Sequence, residues 1–357
     1  MKILLIRLRL IGDVVFTTPL LRALKRRFPE AHLSYLVEPH ALPVVRANPH
    51  LDEVIVAPLR GGLARMADDL RLAGRLRRER YDIVLDLHGG PRSAWLAWLS
   101  RAPVRIGYQI PGRTWMYTRA VARPRTLRRR HSVVNQWDLL EAIDGWSSGG
   151  PSPTGDAVEM PLDAGADGEV ARRLAAAGIT PAHQLVVVHV SAGNPFRRWP
   201  EPAFTALVCG LAAASPMRRV VLSSGPSDRQ AAARIGAAAR QSLGDAAARV
   251  LDIGELDLAE LRALIGRSRL FVGGDSGPLH IAATTSTPIV GIYGPTESAR
   301  SAPWRDPGFP TESVEVAGLA CRPCDQRVCQ PGDFRCLTTL KPEDVLSAAM
   351  RAMSARV

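Results

Sequence analysis

The sequence predicts an α/β protein built from two doubly wound domains, each a parallel sheet covered by helices on both faces. Three observations carry that prediction. The chain has 357 residues, more than one core commonly organises. Both halves alternate short, almost continuously apolar runs with helix-spaced segments, the pattern of parallel strands buried on two sides. Between the halves, WSSGGPSPTGDA (146–157) lacks periodicity and is rich in Gly, Pro and Ser, which marks a linker. The expected domains are therefore 1–160 and 161–357.

In the first half KILLIRL (2–8), HLSYLV (32–37), EVIVA (53–57) and YDIVLDL (81–87) read as strands. In the second half the strands are LVVVHV (185–190), RVVLSS (219–224), VLDI (250–253), LFVG (270–273) and PIVGIY (288–293). Doubly wound sheets bind ligands beyond the C-terminal ends of their strands, so a cleft between two of them is the expected ligand site.

Apolar residues make up 46% and charged residues 22%, an ordinary globular composition. The most apolar stretches are strand-sized, far short of the roughly 20 residues a spanning helix needs. Lys2, Arg7, Arg9 and Asp13 interrupt the apolar N-terminus, which argues against a signal peptide and for a cytoplasmic address. Net charge is +12, from 46 basic and 34 acidic residues. Arginines concentrate at Arg60, Arg65, Arg71, Arg75, Arg77, Arg78 and Arg80, and again at Arg119, Arg123, Arg125, Arg128, Arg129 and Arg130. The bland reading is a solvated surface; the functional one is an anionic partner.

Three loops that follow predicted strands carry the chemistry. In LFVGGDSGPLHIAATTSTPIVGIYGPT (270–296), Asp275 and Ser276 are N-cap types and Pro278 suits a first helical turn. Free N–H groups at Ser276, Gly277 and Leu279 would attract phosphate, while Asp275 would take sugar hydroxyls or orient the loop. An ordinary capped strand–helix turn is the alternative. In HVSAGNPFRRWP (189–200) a guanidinium at Arg197 could neutralise a diphosphate without metal, whereas Arg198 and Trp199 read as surface and packing residues. In RLRLIGDVVFTTPLLRALKRRF (7–28), Asp13 stands where strand hands over to helix, as a general base or as an N-cap. Pro19 leaves two readings: Thr18 caps a helix starting there, or a helix begins near Asp13 and kinks.

Four of five cysteines crowd into Cys321-x2-Cys324-x4-Cys329-x6-Cys336. That spacing admits a zinc site, a redox-labile disulfide or reduced structural thiols. Cys209, in an apolar helix, reads as core.

Together these segments, with YDIVLDLHGGPRSAWLAWLSRAPVRIGY and LSSGPSDRQ, resemble glycosyltransferase family 9, the ADP-heptose:lipopolysaccharide heptosyltransferases, in order along nearly the whole chain. The CRPCDQRVC tail is similar to that of the second-heptose branch. The resemblance implies a GT-B architecture of two Rossmann-like domains, the first holding acceptor and the second nucleotide-sugar. It implies inverting transfer of heptose from ADP-heptose to the Kdo/heptose inner core, without divalent metal or other cofactor, in a Gram-negative cytoplasm with peripheral contact to the inner membrane.

By the same resemblance Asp13 is the catalytic base. Donor contacts fall to Ser191, Arg197, Asp228, Asp275, Ser276, Gly277, His280 and Thr296, with Arg standing at 197 where the family usually has Lys. Gly12 and Arg60 fall to the acceptor, and the arginine clusters to its anionic groups. A GT-B transferase using another sugar or acceptor is the rival enzyme reading. A nucleic-acid-binding protein fits the charge but lacks interleaved aromatics, which are 5% of the chain. A dehydrogenase is disfavoured because no G-x-G-x-x-G follows the first strand.

Overall fold

A computed structural model describes residues 1–122, 130–147, 149–190, 194–322, 324 and 326–355. The chain divides into two compact units, Met1–Pro161 and Leu162–Val357. The strands of the first are β1 (Lys2–Ile6), β2 (His32–Val37), β3 (Glu53–Val56), β4 (Ile83–Asp86), β5 (Val104–Tyr108) and β6 (Arg119–Val121). Those of the second are β7 (Gln184–Val190), β8 (Arg218–Ser224), β9 (Val250–Leu251), β10 (Leu270–Gly274), β11 (Ile289–Tyr293) and β12 (Thr311–Glu315).

Each unit holds one six-stranded, all-parallel sheet, ordered β3-β2-β1-β4-β5-β6 in the first and β12-β11-β10-β7-β8-β9 in the second. Counted from the start of each unit, both orders are the doubly wound 3-2-1-4-5-6. The order reverses between β1 and β4 in one unit and between β7 and β10 in the other, where a doubly wound sheet opens a crevice for ligand. The predicted α/β class with two such sheets is what the chain forms.

Central strands are apolar throughout because helices cover both faces. Ile3, Leu4, Leu5 and Ile6 of β1 are completely buried, as are Val186, Val187 and Val188 of β7. Three strands escaped the sequence reading: β5, β6 and β12. In β6 and β12 no residue is fully buried, because both lie at a sheet edge with less core to fill. Strand β4 begins two residues later than expected, since Tyr81 and Asp82 precede the ladder.

The Gly/Pro/Ser stretch is not a bare tether. Arg26 holds Asp156 at 2.9 Å, Arg22 ion-pairs with Glu159, and Trp146 packs edge-on against Trp137 at 5.9 Å. It is strapped onto the first unit by side chains that periodicity does not register. Both readings of Pro19 give way to a third arrangement: helices Ile11–Val15 and Thr18–Arg27 are separate. Thr17 holds the N-cap position of the second without a side-chain cap bond, Pro19 sits in its first turn, and the Thr17 and Thr18 hydroxyls donate to the carbonyls of Val14 and Val15 at 2.6 and 2.8 Å.

Among the described residues no helix is long and apolar enough to cross a membrane.

Candidate functional site

In the first unit the reversal point places the residues after β1 beside those after β4. Arg7, only 8% exposed, donates through Nη1 to the Leu87 carbonyl at 2.5 Å and through Nη2 to Asp13 Oδ2. Asp13 lies in the first turn of helix Ile11–Val15, whose N-cap is Leu10. The N-cap alternative for Asp13 is therefore wrong; its carboxylate faces the Arg7 guanidinium instead. Leu10 adopts φ 71°, a region that L-residues enter only under local constraint, and it is exposed. Gly12 sits in the same short helix, and its carbonyl accepts from Phe16 N at 3.0 Å.

His88 joins this cluster and was not singled out from sequence. Its ring folds back over Gly90, where a Cβ would come within 2.6 Å of it, so a larger residue there would push the imidazole aside. Burial, with Arg7 and Arg9 beside it, pulls the His88 pKa down to about 4, and its Nδ1 finds no partner among the described residues. Beneath it the fully buried Asp86 accepts from Tyr117 Oη at 2.7 Å, Ser93 Oγ at 2.9 Å, and the backbone N–H groups of His88 and Gly89, both at 2.9 Å. Burial pushes the Asp86 carboxyl up despite those donors. The signal missed was DLHGG itself: a histidine and two glycines directly after a strand. Arg60, in contrast, is engaged by Asp68 on the helix that follows it.

In the second unit the loops after β7 and β10 meet in the same way. Arg197 Nη1 lies 3.1 Å from Asp275 Oδ2 and also donates to the Asp275 carbonyl at 3.1 Å, while its Nε donates to Gln326 Oε1 at 2.7 Å. His280 Nε2 stands 3.6 Å from Asp275 Oδ1. Asp275 is 3% exposed. Burial alone would raise its pKa, but His280, Arg197 and the Thr296 hydroxyl outweigh it and bring the carboxyl down to about 2. Asp275 is thus a fixed anion that holds Arg197 and His280.

Ser276 is the N-cap of helix Gly277–Ala282, and its hydroxyl donates to the Gly274 carbonyl at 3.2 Å. The expected free N–H at Leu279 is not free: it donates to the Ser276 carbonyl at 3.1 Å. The first turn closes on itself there and withdraws that donor. Thr296 is buried, and its carbonyl accepts from Arg322 at 2.7 Å. Ser191 lies outside the described residues, as do Arg123, Arg125, Arg128 and Arg129 of the second arginine cluster. From that cluster Arg119 pairs with Asp144 and Arg130 with Asp138.

Beyond the C-terminal ends of β7, β8 and β9 opens a cavity of about 350 Å³, lined by His189, Ser223, Gly225, Arg229, Asp252 and Glu255 among others. Asp228 stands beside it, buried, its carboxylate held by Arg198 at 3.2 Å and by the Ser227 hydroxyl at 2.8 Å. Trp199 is buried, donates to the Leu340 carbonyl at 3.2 Å and packs edge-on against Phe204, as its sequence reading expected.

His189, also missed from sequence, shares a 2.9 Å hydrogen bond between Nδ1 and Ser223 Oγ, and burial pulls its pKa down to about 4. The unfolded side chain, at about 6.5, binds a proton that the folded one refuses. Stability is therefore complete above pH 6.5 and falls as pH drops towards 4. At pH 5 the loss attributable to His189 is about 2 kcal/mol. A pH series of thermal melts should show it, with His189→Phe flattening the slope between pH 6.5 and 5. Parallel slopes in the two proteins would contradict the neutral buried imidazole.

The four clustered cysteines line one small cavity with Phe196, Pro295 and Phe334. All are free thiols, and among the described residues no group of three or more His, Cys, Asp or Glu is arranged to hold a metal. The segment does couple to the charged cluster, because the Gln326 N–H donates to Cys324 Sγ at 3.3 Å while its side chain accepts from Asn194 and Arg197. Cys209 is half-buried against the second core, its Sγ 3.8 Å from the Ala239 carbonyl.

Comparison with known proteins decides the family. The model of glycosyltransferase family 9 (heptosyltransferase) matches residues 70–331, well over half of the chain. The chain belongs to glycosyltransferase family 9. Lipopolysaccharide heptosyltransferase 3 of Escherichia coli is 26% identical over 300 residues, covering 83% of this chain and 84% of that protein. Lipopolysaccharide heptosyltransferase 2 of Salmonella typhimurium is 28% identical over 316 residues, covering 83% of each. The solved structure of Escherichia coli ADP-heptose lps heptosyltransferase II superposes with a TM-score of 0.76 at 20% identity, over 99% of this chain and 98% of that one. This likeness shows a shared fold, the two-sheet GT-B type. The family 9 chain is thus a glycosyltransferase that places charged clusters at both of its sheet reversal points.

Proposed function

We propose that the family 9 chain transfers a heptose from ADP-heptose to the lipopolysaccharide inner core, with inversion and in a single displacement. In this reading the Met1–Pro161 unit holds the acceptor and the Leu162–Val357 unit the nucleotide-sugar. The observation that carries it is likeness to lipopolysaccharide heptosyltransferases along 83% of the chain, at comparable coverage of those proteins.

Each proposed role has a local physical basis. Asp13 is a partly exposed carboxylate at a sheet reversal point and would take the proton from the attacking hydroxyl. Arg7 orients it, and His88 is placed to position the acceptor. The cavity beyond β7–β9 has nucleoside dimensions and would take the adenosine. Arg197, held by Asp275 and Gln326, would offset the charge of the departing diphosphate, helped by the Ser276–Gly277 turn and His280. Asp275 and Thr296 would act through Arg197 and His280, and Asp228 through Arg198; Ser191, outside the described residues, remains a proposed phosphate contact. Gly12 and Arg60 would face acceptor. With that guanidinium offsetting the diphosphate charge, the proposed transfer would proceed without a divalent metal or other cofactor. The place of action would be the cytoplasm, at the inner-membrane surface.

The test is turnover of purified protein with ADP-heptose, then UDP- and GDP-sugars, each with a Kdo2-lipid A-type acceptor, with and without EDTA. Transfer should need ADP-heptose and survive EDTA. Turnover only with another sugar would end the heptose reading, and an EDTA loss restored by magnesium would end the metal-free one.

A further inference from the structure

Four thiols in the second unit have no part in the proposed transfer. Cys321, Cys324, Cys329 and Cys336 line one cavity of about 30 Å³, roughly the space of a single water, so the thiols gather around one small opening. All four are free, and among the described residues no three are set as metal ligands. A disulfide asks for only two. Cys336 is the poorest candidate: it is 9% exposed, and burial pushes its thiol up, away from the reactive thiolate. The other three are half-buried and reachable. Of these, Cys321 and Cys324 have the C-x2-C spacing on which thiol–disulfide exchange proteins rely.

What sets Cys324 apart is its neighbour. Its Sγ accepts the Gln326 N–H at 3.3 Å, and Gln326 Oε1 accepts from Arg197 Nε at 2.7 Å and from Asn194 Nδ2 at 2.8 Å. Gln326 has φ 60°, a left-handed conformation that a residue with a side chain keeps only while its surroundings hold it there. One of the hydrogen bonds that hold it ends on the Cys324 sulfur. Bonded to Cys321, that sulfur is drawn away from the Gln326 N–H. Gln326 then relaxes from its strained backbone, and its amide oxygen leaves the Arg197 guanidinium to Asp275.

We propose that Cys321 and Cys324 form a reversible dithiol–disulfide site whose oxidation loosens Gln326 and, with it, the aim of Arg197. The step is exchange with a small-molecule disulfide of the glutathione class. Deprotonated Cys321 attacks one sulfur of that disulfide, bonds to it and expels the other half as a thiolate. Deprotonated Cys324 then attacks Cys321 Sγ, forming the bond between the two cysteines and expelling the second half. Two electrons pass to the small disulfide, and the two protons lost from the cysteines end on the two small thiols released.

The experiment treats the full chain with glutathione disulfide or with dithiothreitol and maps disulfides by mass spectrometry of its peptides. Glutathione disulfide should link Cys321 to Cys324, and dithiothreitol should undo the link. Hydrogen exchange of peptides containing Gln326 should quicken on oxidation. ADP, titrated by calorimetry, should bind the oxidised chain roughly five- to tenfold more weakly. Cys321→Ser, outside the charged cluster, should melt and bind ADP as reduced wild type does, and oxidant should leave its affinity unmoved. Gln326→Ala should bind ADP as weakly when reduced as oxidised wild type does. A lasting glutathione adduct, no link, a link between other cysteines, or a link that changes neither exchange nor ADP affinity overturns the proposal. So does one zinc or iron per chain held by these thiols in the purified protein. The ADP probe rests on the proposed donor site: a reduced chain that binds no ADP would sink that reading, while hydrogen exchange still decides this one.

Discussion

Replacing Asp13 by Asn should lower turnover by about a hundred- to ten-thousandfold while leaving ADP affinity unchanged. The amide keeps the shape and one acceptor for Arg7 Nη2, so geometry survives, but it cannot take a proton. Arg7 has its other nitrogen on the Leu87 carbonyl at 2.5 Å and is almost completely buried. Loss of its counter-charge should therefore cost about 1 kcal/mol of stability, well below the cost for a fully enclosed pair, because the Asp13 side chain is 30% exposed. Steady-state rates at saturating donor, with melting curves as the folding control, separate the two effects. A rate within tenfold of wild type would remove Asp13 as the base.

The second large effect concerns stability. Asp275→Ala should destabilise the second unit by about 3 kcal/mol, because the buried carboxylate is the shared partner of Arg197 and His280. For a unit of this size that corresponds to a fall in Tm of roughly 6–12 °C. Asp275→Asn should lie between, since it keeps a hydrogen-bond acceptor and loses the charge. ADP binding, measured by calorimetry below the melting range, should weaken in both, because Arg197 loses one of the groups that aim it. A Tm within about 2 °C of wild type for the alanine variant would show that the carboxylate does not organise this loop.

Much of the architecture was legible in the chain. Buried central strands such as KILLI and LVVVHV announce themselves because both faces of a parallel sheet must be apolar. Edge strands such as β12, TESVE, do not, because one flank meets no core and the composition is free to be polar. Of the candidate site, the loops directly after strands were visible as small, polar or glycine-rich breaks in an apolar pattern. Arg197, Asp275 and His280 were all named in advance, yet their mutual arrangement was not, since residues 78 apart meet only when β7 and β10 pair.

What the sequence determined by itself was the class of fold and the positions where strands give way to loops, because solvent exclusion writes its period directly into residue order. The tertiary structure alone decided which loops share a reversal point, and so brought Arg7 to the Leu87 carbonyl and Arg197 to Asp275. It also decided protonation: His88 and His189 are ordinary histidines in the chain and stay neutral down to about pH 4 because other segments exclude water around them. Contacts across long separations depend on strand order, and no local pattern encodes that order.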